Sequence, residues 1–121
     1  MSRPVLEEAK LHPAIREHVA QYGAGIVKEV QDAIAANAIV VVGMAFNPFP
    51  KKACKALDAA GYPYRYLQYG SYFNGWRRRI ALKMWTGWST FPMVFVKGTL
   101  VGGFTDLQTL ITNGELKSML A

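Results

Sequence analysis

The sequence predicts an α/β domain, a small mixed sheet of four strands flanked by helices. Three observations predict it. The run Ala38 to Gly43, "AIVVVG", is short, β-branched and almost wholly apolar, as a central strand buried on both faces requires. A helix start and a second strand pattern follow it, which makes one βαβ unit. Near the C-terminus, "MVFV" and "TLVG" flank Lys97-Gly98, a two-residue turn of the kind that closes an antiparallel hairpin.

The elements follow in order. Pro4 and Pro13 bracket a short charged arm, and Pro13 suits a helix start for Ala14 to Tyr22, which Gly23 and Gly25 interrupt. Ile26, Val27, Val30 and Ile34 recur at the spacing of a second amphipathic helix that Asn37 can close. After the strand, Asn47-Pro48 signals another helix start: an asparagine side chain caps free backbone N–H groups, and proline is preorganised for the first turn. That helix should stop at Gly61, with a strand over Tyr62 to Gln68. A loop rich in Tyr, Gly and Ser leads to a helix from Arg77 to Trp85, spaced through Ile80, Leu82 and Met84. Beyond the hairpin, Thr105 or Asp106 can cap a helix through Leu107, Leu110 and Ile111, and Gly114 separates it from a last short one.

With 121 residues, 51% of them hydrophobic, the chain can bury one core, so residues 1–121 form a single expected domain in which 1–25 is an N-terminal extension with a helix. The single cysteine, Cys54, excludes an internal disulfide. No opening stretch is basic and then apolar, so a cytoplasmic protein is expected, and the longest apolar run is too short to span a membrane. Charge is uneven. Up to Phe46 four basic residues meet five acidic ones, and from Asn47 onward ten meet three. That asymmetry points to an anionic small ligand, an acidic partner or nucleic acid, or to no more than a solvated basic surface. His12 and His18 have no cysteine or carboxylate pattern around them, so no metal site is assigned.

The stretch "TGWSTFPMVFVKGTLVGGFTDLQTL" resembles the C-terminal half of a glutaredoxin, a family with the thioredoxin fold. Thr86-Gly87, Thr90-Phe91-Pro92 and Gly102-Gly103 with Asp106 fall at the spacing of that family's TG, TxP and GG-x-x-D elements, and "WSTFP" and "GEL" are similar to its monothiol branch. The resemblance covers roughly residues 26–121. It implies a thioredoxin-like fold, a cis proline at Pro92 and a glutathione groove. In that groove Phe91 would offer its main chain to the cysteinyl part of the ligand. Gly103, Thr105 and Asp106 would receive the γ-glutamyl end, although Thr105 stands where the family usually has an acid, and Arg79 would meet the glycine carboxylate.

Aligned this way, Asn47, Pro48, Phe49 and Pro50 occupy the active-site motif. Asn47 stands at the nucleophilic cysteine and Pro50 at the second cysteine of dithiol members; Phe49 alone is retained in kind. Thiol–disulfide exchange needs a thiolate, and an amide is neither nucleophilic nor redox-active. Pro50 also deletes an N–H that would stabilise an anion at the helix start. The lysine usual at the end of the family's first strand is replaced by Gly43 or Met44. Monothiol relatives are expected to share an iron–sulfur cluster through that cysteine, so no cluster is expected here.

Cys54 is the remaining candidate nucleophile, about 10 Å along the helix from Asn47, but beside Ala53 and Leu57 it reads first as a buried, inert small hydrophobe of the core. Two function classes follow. The first is a glutaredoxin-like binding or adaptor module without catalytic thiols, holding glutathione or a peptide. The alternative is a glutathione-dependent thiol–disulfide oxidoreductase using Cys54 or a partner's thiol. Nucleic-acid binding rests only on the basic balance and on aromatics such as Tyr72, Phe73, Trp76 and Trp88, a set that more often serves as core and protein contact patch.

Overall fold

The computed structural model describes residues 3–71 and 75–121. A single 3-10 turn, Glu8–Lys10, precedes α1 (Pro13–Gln21) and α2 (Ala24–Ala36). Then come β1 (Ile39–Gly43), α3 (Pro48–Ala60), β2 (Arg65–Gln68), α4 (Trp76–Thr86), β3 (Met93–Val96), β4 (Thr99–Gly102), α5 (Phe104–Thr112) and α6 (Glu115–Leu120). The sheet order is β2-β1-β3-β4. β1 pairs with β2 in parallel, and the β1–β3 and β3–β4 pairs are antiparallel, which is the mixed sheet the sequence predicts. This is the thioredoxin-like arrangement.

Alternation along β1 and β3 builds two cores. Val40, Val42, Met93 and Phe95 point to the layer of α2 and α4, where they meet Val30 and Leu82. Ile39, Val41, Val94 and Val96 point to the opposite layer, against Ala53 and Leu57 of α3, Leu107 of α5 and Leu116 of α6. All five residues of β1 are buried, so the apolar run sits mid-sheet because both of its faces are covered.

Several boundaries differ from expectation for local reasons. Gly25 does not break α2: the left-handed residue is Gly23 (φ 69°), and the helix begins at Ala24. A side chain on Gly23 would run into Ala81, so this glycine lets the start of α2 lie against α4. The strand expected over Tyr62 to Gln68 shortens to Arg65–Gln68. α5 starts two residues early, with Gly103 at the cap; Asp106 acts from inside the first turn, its Oδ2 accepting the Gly103 N–H at 2.9 Å. In α4 only Leu82 of the three expected apolar positions is fully buried; Ile80 and Met84 face outward. The expected aromatic loop falls partly on Tyr72 and Phe73, which lie outside the described residues. Among the described residues no helix is long and apolar enough to cross a membrane.

Candidate functional site

One end of the sheet carries a cleft of about 540 Å³, within the size range of small-ligand pockets. Three segments form it. The first turn of α3 supplies Asn47, Pro48 and Phe49; the loop from α4 to β3 supplies Trp88 through Pro92; the start of α5 supplies Gly103 through Asp106. Met44 lies beneath and Lys83 of α4 closes one side.

The α3 turn is locally determined. Asn47 has extended backbone (φ −100°, ψ 121°), and its Oδ1 accepts the Phe49 N–H at 3.0 Å. Its Nδ2 donates to the Phe91 carbonyl at 3.3 Å, across the cleft floor. Both ends of the amide are therefore engaged within the fold. Pro48 and Pro50 have no N–H, and the Phe49 N–H is taken by Asn47, so the first three helical positions present no free donor to an anion. A thiolate in place of Asn47 would have the Phe49 N–H alone from these three positions, less backbone support than a helix start usually gives a cysteine. Asn47 supplies no thiolate either, so the site does not fit an iron–sulfur cluster. Among the described residues no group of three or more His, Cys, Asp or Glu side chains is placed to hold a metal ion.

Pro50 is buried and its ring lies against Gly43: a β-carbon on Gly43 would stand 2.6 Å from the Pro50 Cβ. The end of β1 thus has room for no side chain while Pro50 is present. Met44, the next residue, is buried and lines the cleft. Before Asn47, Phe46 takes a left-handed backbone (φ 63°) with its ring exposed.

The remaining lining comes from the α4–β3 loop and the start of α5. The Phe91-Pro92 peptide bond is cis. On the α5 side the Gly103 N–H is already bound to Asp106, and Thr105 and Asp106 are exposed at the rim. Gly102 (φ 116°) is required here, because any side chain on it would collide with the Asp106 carboxylate.

Arg79 lies elsewhere. It is buried in α4, where its Nη1 donates to the Tyr69 carbonyl at 3.1 Å, and it does not line the cleft. Lys83, one turn on, is the cation on the cleft wall, its ammonium 5.7 Å from the Phe91 ring centroid. Sequence reasoning did not place Trp88 or Phe104 at the site, and it took Lys83 only as part of a basic run with Arg77 to Arg79 that could offset the lost lysine of the first strand or be a solvated helix face. Phe104 packs 6.4 Å from Phe49, centroid to centroid, and Lys52 sits 5.0 Å from the Phe49 ring. The signal for Phe104 was its place directly after the glycine pair. For Lys83 it was the one-turn offset from Arg79 along the same helix.

Cys54 is outside the cleft, half-buried against the core on the α3 and α5 side. Burial pushes its thiol pKa up; the hydrogen bond with Tyr64 pulls it down by less, and the Asp58 carboxylate pushes it up further. It is a protonated thiol at neutral pH, the opposite of an activated nucleophile.

No family model matches the sequence. A glutaredoxin-like protein of Dictyostelium discoideum is 43% identical over 102 residues, 84% of this chain and 83% of that protein. The chain belongs to the glutaredoxin family. The fold agrees with solved members of the family. Oxidised glutaredoxin 2 of Chlamydomonas reinhardtii matches with a TM-score of 0.69 and 28% identity, over 81% of this chain and 92% of that one. A buckwheat glutaredoxin, solved as a complex with glutathione, matches the fold with a TM-score of 0.71 at 24% identity, over 83% of this chain and 91% of that one.

Proposed function

We propose that this glutaredoxin-family chain is a binding module without thiol chemistry of its own, and that its cleft takes glutathione or a peptide. The observation that carries the reading is the double engagement of Asn47. At the position where the family resemblance puts the nucleophile, the side chain caps α3 and ties it to the Phe91 carbonyl. It holds two cleft walls together and offers no electron pair for attack on a disulfide. Cys54, away from the cleft with a raised pKa, does not replace it.

Binding is supported by what remains. The cis Phe91-Pro92 segment, the Gly103 to Asp106 turn and the Lys83 ammonium border one concave surface, and a cation there suits a ligand carboxylate. The buckwheat relative of like fold was solved with glutathione. Two hydrogen-bonding groups are already used, the Phe91 carbonyl by Asn47 and the Gly103 N–H by Asp106, so glutathione would bind with fewer main-chain partners and reduced affinity.

Calorimetry with glutathione and a mixed-disulfide reduction assay, run on the wild type and on Cys54→Ser, test this together. The expected result is weak binding with no turnover by either protein. Turnover that disappears in Cys54→Ser would instead establish the oxidoreductase.

A further inference from the structure

On the outward face of α4, Trp76, Ile80 and Met84 do not line the cleft, although Lys83 at the edge of this face does. Trp76, Ile80 and Met84 are 54%, 37% and 60% exposed, and a spacing of four residues lines them up along one side of the helix. At about 100° per residue, Arg77 borders this stripe on one side and Lys83 on the other. The Arg77 guanidinium rests 5.2 Å from the Trp76 ring centroid.

The charge on this helix is one-sided. Trp76–Thr86 holds four cations and no carboxylate. Among the described residues the salt bridge Lys28 to Asp32 lies on α2, and Arg77, Arg78 and Lys83 take part in none. Three arginines also occupy the first turn behind Gly75, which supplies no side-chain cap, where the helix dipole is already positive. Cations at that end are disfavoured, so the arrangement costs folding stability, and an approaching negative charge relieves it.

We propose that this face docks an acidic amphipathic helix of a partner protein. Its apolar side chains at helical spacing meet Trp76, Ile80 and Met84; its flanking carboxylates meet Arg77 and Lys83, and Arg78 adds to the attracting field. Composition favours a protein over a lipid surface. Tryptophan, methionine and arginine are the side chains enriched at protein interfaces, and the arginine fork fits a carboxylate through two parallel hydrogen bonds. The stripe is one side chain wide, the footprint of a helix, whereas membrane-surface helices present a broad apolar face.

The test titrates the isotope-labelled full chain with a synthetic helical peptide carrying leucine along one stripe and glutamate on its flanks. The control is the same peptide with lysine for glutamate. Amide shifts should concentrate on α4, weaken about tenfold in Arg77→Glu, weaken similarly in Trp76→Ala, and fade with added salt. The lysine peptide should not bind. Asn47→Ala, altered in the cleft, should bind as wild type, which separates this surface from the cleft reading. Equal binding of both peptides, or affinity unchanged in Arg77→Glu and in Arg77→Gln, overturns the proposal. Co-sedimentation with phosphatidylserine vesicles without peptide binding overturns it too and makes the face a lipid contact.

Discussion

Asn47 does structural work at both ends of a single amide, and one substitution removes both bonds together. Asn47→Ala removes the cap on the Phe49 N–H and the tie to the Phe91 carbonyl. Loss of a good cap costs about 1 kcal/mol, and this variant should lose at least that much in urea unfolding, with the m-value unchanged. Asn47→Cys makes a sharper test. The new thiol would feel the helix dipole and the Lys51 and Lys52 charges, so its pKa should fall below that of a free cysteine. Only the Phe49 N–H becomes free to support it, because Pro48 and Pro50 have none. Incubated with iron, sulfide and glutathione, Asn47→Cys should stay colourless and keep the oligomeric state of the wild type. A brown protein that dimerises would show that one substitution separates this scaffold from a cluster carrier. At this scale the sequence was informative about the amide at Asn47, whose capping of α3 follows from Asn-Pro at a helix start. It was uninformative about Arg79, because the direction in which a helical arginine points depends on packing between elements: here the guanidinium turns inward to the Tyr69 carbonyl.

Among the elements, β1 and α3 are coupled where Pro50 covers Gly43. Gly43→Ala should therefore destabilise by about 1 to 3 kcal/mol, as overpacking does in a filled core. Pro50→Gly, which removes both contacting carbons, should recover part of that loss when combined with it, giving a coupling energy above about 0.5 kcal/mol in a double-mutant cycle. Additive effects would mean that the two residues do not share the space. The order of strands and helices was legible in the sequence because each element carries its own period and its own punctuation: the β-branched run of β1, Asn47-Pro48 before α3, Gly61 after it, Lys97-Gly98 in the hairpin. The errors fell where short-range signals compete. Two glycines close together left open which of them turns the chain before α2, and Thr105 and Asp106 drew the cap of α5 away from Gly103, which has no side chain to signal the position and is held there through its N–H by the Asp106 carboxylate.

At the scale of the molecule, four groups among the described residues retain protons that the unfolded chain would release. Burial raises the pKa of Cys54, Tyr66 and Tyr69; the Cys54 thiolate adds to Tyr66, and Glu29 adds to Tyr69. Tyr64 is pushed up to about 12, by desolvation first and then by Cys54 and Asp58. Each contributes stability that is complete below its ordinary value, 9.0 for the cysteine and 10.0 for the tyrosines, and is lost as pH rises toward the folded value. Urea midpoints should hold steady from pH 7 to about 8.5 and then fall progressively toward pH 12, and Cys54→Ser should soften the earliest part of that fall. A midpoint that stays level to pH 11 would contradict the assignment.

The contact between Gly43 and Pro50 also bears on the order in which this sequence can change. A lysine at position 43 meets the proline ring before it can reach solvent, so a lineage or a laboratory selection that tries it first loses stability and gains nothing. Replacing Pro50 with glycine first removes both contacting carbons, leaving the Tyr66 ring to give way slightly, and restores a backbone donor at the start of α3 in the same step, after which changes at 43 and then at 47 become individually tolerable. Of the routes from this sequence toward one with a working thiol, the accessible ones begin at position 50, and a stepwise selection that allows one change per round at 43, 47 or 50 should recover its first substitution at 50.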